Sequence, residues 1–185
     1  HVRLAEEAAI LFGPSQHFDR YHFLLALTGR MGSIGVEHLR SSENQLEPDA
    51  FTNWTRNEWD RNLLPHELAH SWNGKLRRPA RLWTPDYRTP MQGDLLWVYE
   101  GQTQFWGFVL AARSGLQSFD MVLAHMATKA GDYAESPGRD WRALADTTAD
   151  PVVAARKSRP YPSLTRSEDY YNEGALIWLE ADQII

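Results

Sequence analysis

Two histidines four residues apart with a glutamate between them, His66-Glu67-Leu68-Ala69-His70, constrain this chain more than any other stretch. On an α-helix four residues advance about 400° and rise about 6 Å, so both imidazoles leave one face. That separation lets two ring nitrogens reach a single zinc ion at about 2.0–2.1 Å each. Glu67, beside the first ligand, can face a metal-bound water as a general base. One helical turn then carries both halves of a hydrolytic centre.

Cysteine is absent, so any zinc is held by histidine and carboxylate alone. The 185 residues amount to one domain, with ordinary globular composition (43% hydrophobic, 23% charged) and enough apolar side chains for a core. A net charge of −5 and the lack of a long basic run argue against a nucleic-acid partner. Lys75, Arg77 and Arg78 form the densest basic cluster, which reads as a solvated loop. No apolar run approaches a membrane span. The chain starts at His1 without a signal pattern and stops inside an apolar helical stretch, which reads as a fragment of a longer protein.

Periodicity predicts an α+β fold, mainly α-helical, with a small sheet near the N-terminus. Residues 1–52 form a lobe of one helix and the sheet, and residues 53–185 a helical lobe, of a single domain. Leu4–Phe12 reads as a helix, Tyr21–Thr28 as a buried strand, and Gly29–Ser33 as a turn. Ile34–Leu39 reads as an edge strand, where Gly35 permits close approach. Ser41–Thr52 reads as polar loop. Thr55–Trp72 reads as one continuous helix distorted at Pro65, the alternative being that Pro65 marks the helix's first turn. After a long loop over 73–93, Leu95–Gly115 is apolar on nearly every face and reads as a central helix stopped by Gly115. Another helix spans Phe119 to about Tyr133, residues 134–164 are irregular, and a last helix starts near Ser167 or Asp169.

A catalytic zinc takes three protein ligands and keeps one position open. Glu100, with 29 residues between it and His70, is a lone carboxylate in an apolar helix and expensive to bury without a compensating ion. It is therefore a candidate third ligand, the other reading being a surface glutamate on the one wet side of that helix.

At this point a resemblance becomes specific. His66-Glu67-x-x-His70-Ser71-Trp72-Asn73-Gly74-Lys75, followed by Leu96-Trp97-x-x-Glu100-Gly101-x-Thr103, resembles the gluzincin metallopeptidases, and among them the glycyl aminopeptidase family, which shares the catalytic fold of aminopeptidase N. Arg77-Arg78-Pro79, Asp86-Tyr87, Ala112–Leu116, Pro137-Gly138-Arg139 and Asp169–Leu176 agree in the same order. The resemblance implies a thermolysin-like zincin catalytic domain. It implies one zinc per chain on His66, His70 and Glu100, Glu67 as the base, and Tyr171 donating to the oxyanion, with neighbouring Tyr170 as the alternative donor. Glu37 resembles the exopeptidase glutamate that binds a substrate's α-amino group. It departs from the usual two glycines before an apolar residue and the glutamate, since the run here is Gly32-Ser33-Ile34-Gly35-Val36. The competing reading of Glu37 is an edge-strand charge that opposes aggregation. Thr103 either hydrogen-bonds a zinc ligand or simply its own helix. His17, His22, His38 and His125 read as structural or surface residues.

The expected activity is a zinc-dependent aminopeptidase acting on peptides, favouring a small first residue such as Gly or Ala. The alternatives are an endopeptidase with the same centre and an inactive, zinc-retaining peptide-binding module. The resemblance also implies flanking domains in the full-length protein, β-rich at the N-terminal side and a possible PDZ domain at the C-terminal side.

Overall fold

The computed structural model describes residues 1–14, 17–31, 34–153 and 160–185. The chain is mainly helical with one small sheet, an α+β fold, and it divides into two compact units. One comprises His1–Arg77 with Trp106–His125, the other Arg78–Phe105 with Met126–Ile185.

The first unit opens with α1 (Val2–Phe12), closed by Gly13 at φ 83°. Three strands follow, β1 (His22–Leu27), β2 (Gly35–Glu37) and β3 (Ser41–Leu46), in the order β1-β3-β2. β3 lies parallel to β1, with His22 opposite Ser41, and antiparallel to β2, with Glu37 opposite Ser42. A single turn, His38 N–H to the Ser41 carbonyl at 2.8 Å, joins β2 to β3.

Two expectations are corrected here. β1 is an edge strand with Leu24, Leu25 and Leu27 exposed, rather than a buried one. The stretch read as polar loop holds the central strand, β3. Its Ser42, Asn44 and Gln45 are buried, and the side-chain amide nitrogens of Asn44 and Gln45 are paired locally. The Asn44 amide donates to the Ser42 carbonyl (3.1 Å) and hydroxyl (3.0 Å), and the Gln45 amide to the carbonyls of Leu46 (3.2 Å) and Thr28. Buried polar side chains cost little when hydrogen-bonded. The turn read over Gly29–Ser33 ends outside the described residues, since Gly32 and Ser33 are not among them.

Thr55–Trp72 is not one helix. A 3₁₀ turn (Glu58–Asn62) leads into α2 (Leu63–Ala69), and Pro65 sits in the first turn of α2. The missing proline N–H costs nothing there, because the first amides of a helix have no partner within it. Leu64, Leu68 and Ala69 of α2 bury against Leu4 and Ala8 of α1 and against Leu110 and Leu116, with Phe12, Tyr21, Phe23, Trp72 and Trp106 packed around them.

In the second unit the loop after residue 77 is ordered by a 3₁₀ turn at Ala80–Leu82. A π-helical turn, Trp97–Gly101, then runs directly into α3 (Gln102–Ser114), which crosses into the first unit and stops at Gly115, φ 72°. α4 (Phe119–Ala134) follows. A 3₁₀ turn (Pro137–Asp140) and three single-turn helices, α5 (Leu144–Thr147), α6 (Asp150–Val153) and α7 (Pro162–Thr165), lie along the described part of the stretch read as irregular, of which residues 154–159 are outside the described residues. α8 (Asn172–Ile184) closes the chain and begins later than Ser167 or Asp169. Leu82, Leu96, Tyr99 and Tyr170 form this unit's core.

Candidate metal centre

In the first unit α2 places His66 and His70 one turn apart with their Nε2 atoms 3.1 Å from each other. Two ligand atoms at about 2.0–2.1 Å from one tetrahedral zinc stand about 3.3–3.4 Å apart. The pair is therefore close to the spacing that a shared ion requires. Both rings are buried. His70 Nδ1 lies 3.0 Å from the Asn73 carbonyl, which can only accept, so the ring proton sits on Nδ1 and Nε2 keeps its lone pair. Such a carbonyl contact is the usual means of orienting a metal-binding imidazole. The residues present fit a zinc ion.

α2 is held in place from two sides. Gly107 of α3 lies so close that a Cβ there would stand 3.2 Å from the Cα and Cβ of His66. On the other side the Tyr21 hydroxyl donates to the Glu67 carbonyl at 3.0 Å. Burial raises the Tyr21 pKa well above its ordinary value, the Ser42 hydrogen bond opposes that, and the Glu67 and Glu37 carboxylates add to it, so the phenol remains a donor. The Glu67 side chain is buried against β2, and a Cβ at position 35 would fall inside its carboxyl group. The close approach expected at Gly35 is thus made by the Glu67 side chain. Glu37, at the end of β2, comes within ligand distance of the same place. Glu37, Glu67 and His70 each offer an atom within 4.8 Å of the others.

In the second unit, Glu100 lies on the π-helical turn, partly buried. Its neighbour Gly101 packs backbone to backbone on the first turn of α8. A Cβ at Gly101 would meet the Gly174 Cα and the Tyr170 carbonyl at 2.8 Å, and one at Gly174 would meet the Gly101 Cα at 2.9 Å. The Glu100-Gly101 and Tyr171-x-x-Gly174 motifs are thereby locked together, and Gln104 Nε2 donates across the same contact to Asn172 Oδ1 at 3.1 Å. Tyr171 is the N-cap residue of α8 and partly exposed, whereas Tyr170 is 1% exposed within the core cluster. The Thr103 hydroxyl donates to the Tyr99 carbonyl at 2.7 Å, on its own helical run.

The sequence profile of the family described as M61 glycyl aminopeptidase matches residues 59–177, more than half of the chain and all of the motif-bearing part after β3. The chain belongs to the glycyl aminopeptidase family. Among solved structures, an aminopeptidase N family protein from Idiomarina loihiensis matches 97% of the chain with a TM-score of 0.83 at 22% identity, which is a likeness of fold. The chain spans 31% of that protein's length. No curated protein sequence matches it.

For a glycyl aminopeptidase family member, three residues beside the motif were not found by sequence reasoning. Tyr21 holds α2 through a backbone carbonyl, a contact that leaves no pattern in the sequence. Asn73 acts through its own carbonyl, which any residue could supply. Lys75 was read as part of a solvated basic loop. Instead its ammonium lies 3.1 Å from the Glu37 carboxylate, with both side chains only 21% exposed. Of the histidines read as structural or surface residues, His22 is exposed on β1 and the other three have partners. His17 bonds the Ser71 hydroxyl at 2.9 Å, His38 pairs with Glu43 at 3.3 Å, and His125 packs between the rings of Trp59 and Phe108.

Proposed function

We propose that this chain is the catalytic part of a zinc aminopeptidase with a thermolysin-like centre, in which His66, His70 and Glu100 hold the metal. The spacing of the two Nε2 atoms beside the buried Glu67, in a chain of the glycyl aminopeptidase family, carries this reading. Zinc, when bound, supplies Lewis-acid polarisation of water and of the scissile carbonyl. Glu67 takes the proton of the attacking water on a carboxylate oxygen and returns it to the leaving amine. The Tyr171 hydroxyl donates to the oxyanion as the carbonyl carbon becomes tetrahedral. Tyr171 is favoured over Tyr170 because Tyr170 is enclosed in a hydrophobic cluster. Glu37 receives the α-ammonium of the peptide and so sets the first peptide bond over the base. The family resemblance favours Gly or Ala at that first position.

Elemental analysis of the purified chain and of Glu100→Ala, together with hydrolysis of Gly- and Ala-p-nitroanilide and an N-acetylated control, tests this reading. The expected result is about one zinc per chain, lost or weakened in Glu100→Ala, with cleavage of the free amines alone. Cleavage of the acetylated substrate would reassign the chain as an endopeptidase. Absence of zinc from metal-replete protein would overturn the centre.

A further inference from the structure

Lys75 meets the carboxylate to which the reading above assigns the substrate's amine. Its position is set by the turn that ends the metal helix. Gly74 adopts φ 134°, a region closed to most side chains. The Lys75 amide then donates back to the His70 carbonyl at 3.0 Å, and those of Leu76 and Arg77 to the Ser71 and Trp72 carbonyls at 3.1 and 3.0 Å. Glu37 is fixed from the other side, because β2 is paired with β3 at Ser42. The ammonium and carboxylate therefore face each other at 3.1 Å from two anchored backbones, largely shielded from solvent.

The surroundings explain why a cation is needed there. Glu37 and Glu67 both offer oxygens to the same small region beside His70, and two carboxylates this close repel. After burial, the same two carboxylates also help to hold the Tyr21 pKa above its ordinary value. An ammonium against Glu37 offsets one of the two charges. Its chemistry is also that of a peptide's amino terminus: a compact, strongly hydrated point charge with rotatable donors, here on a flexible stem.

We propose that Lys75 is a tethered stand-in for the substrate's α-ammonium, held by Glu37 and displaced when a free amino terminus binds. The proposal rests on the reading of Glu37 as the amine site. The exchange is one ammonium for another, so Glu37 keeps a counter-ion throughout and no net charge is added to the buried region. A blocked amino terminus cannot displace Lys75. Lys75 thus acts as a specificity-determining residue, with a direct cost: it competes with every productive substrate.

Kinetics of Ala-p-nitroanilide hydrolysis and calorimetric binding of glycinamide and N-acetylglycinamide, on the zinc-loaded chain, test this. The variants are Lys75→Met, Lys75→Gln, Lys75→Arg, Glu37→Gln and the double variant Glu37→Gln/Lys75→Met, each checked for folding by circular dichroism. Removing the competitor lowers KM and the glycinamide Kd by about 3- to 10-fold, a range set by the modest strength of partly exposed ion pairs. The change in KM exceeds any change in kcat, and N-acetylglycinamide is unaffected. Lys75→Arg, which keeps the charge, gives a smaller shift. Glu37→Gln weakens glycinamide, and in the double variant the gain from Lys75→Met disappears. If Lys75→Met and Lys75→Gln leave KM and Kd unchanged or raise them while Glu37→Gln still weakens binding, the competitor role is overturned and the amine site stands. If Glu37→Gln alters neither quantity, the amine site itself fails, and the inference with it.

Discussion

A metal-ligating histidine is commonly oriented by a partner for the proton on its other nitrogen, and in His70 the Asn73 carbonyl provides it at 3.0 Å. In the proposed mechanism Glu67 differs from its two histidine neighbours in that it transfers a proton. Glu67→Gln keeps the shape and removes the basic oxygen, so hydrolysis falls by about 10²–10⁴-fold while the zinc content stays at the wild-type level. Loss of zinc in this variant would mean that Glu67 binds the metal instead of acting as its base. The two tyrosines separate by the same logic. Tyr171→Phe lowers kcat by about 10²–10³-fold with little change in Tm. Tyr170→Phe acts mainly on stability, because Tyr170 is a packed core residue. Parallel kinetics and thermal melts distinguish them, and the reverse pattern would transfer the donor role to Tyr170. At this scale, what was legible in the sequence depended on chain separation. The His66–His70 spacing is fixed by one helical turn and could be read directly. Lys75 meets Glu37 only because a glycine turn and a strand pairing bring distant stretches together, so it looked like one more solvated cation.

The elements were legible where hydrophobic period and breakers coincide and illegible where burial is polar. α1, α4 and the Gly115 stop of α3 follow from pattern. β3 did not, since Ser-Ser-Glu-Asn-Gln has no β-forming side chain, and its buried Ser42 and Asn44 bond to each other rather than presenting an apolar face. The break between the 3₁₀ turn and α2 was also misjudged, because Pro65 suits a first turn better than a distorted interior. The π-helical turn at Trp97–Gly101 left no signal in composition, although such turns are common at functional sites. Its role here is to set Glu100 next to a glycine contact. Gly101→Ala places a Cβ 2.8 Å from the Gly174 Cα and the Tyr170 carbonyl, both backbone atoms that cannot swing aside. Overpacking of this kind costs about 1–3 kcal/mol. The variant therefore melts lower, and it loses zinc and activity together if Glu100 and Tyr171 perform the proposed roles. A Gly101→Ala chain with wild-type Tm and kcat would show that this backbone contact gives way freely.

For the whole molecule, the titrating groups with displaced pKa values bound the range of pH in which the chain is stable. Burial lowers the His17 pKa against the Ser71 hydrogen bond, with Arg40 adding to the decrease. The unfolded chain then takes up that proton first, at about pH 6.5, and stability falls as pH decreases from there. Asp49, held down chiefly by the Asn57 amide, and Asp86, held down chiefly by the Thr89 amide, extend the loss at lower pH, since both favour the charged form in the fold. At the alkaline end the sign reverses. Tyr21 and Tyr133 have pKa values raised chiefly by burial, so the unfolded chain releases those protons first, from about pH 10. Stability is lost as pH rises further, and the melting temperature should form a plateau between these two edges. Tyr21→Phe tests the alkaline edge. It loses the donor to the Glu67 carbonyl, which costs about 0.5–1.5 kcal/mol at neutral pH, but it has no phenol to ionise. Its Tm, lower than wild type on the plateau, should converge on the wild-type value above pH 10. Parallel curves throughout would mean that Tyr21 titrates no differently in the fold than in the unfolded chain.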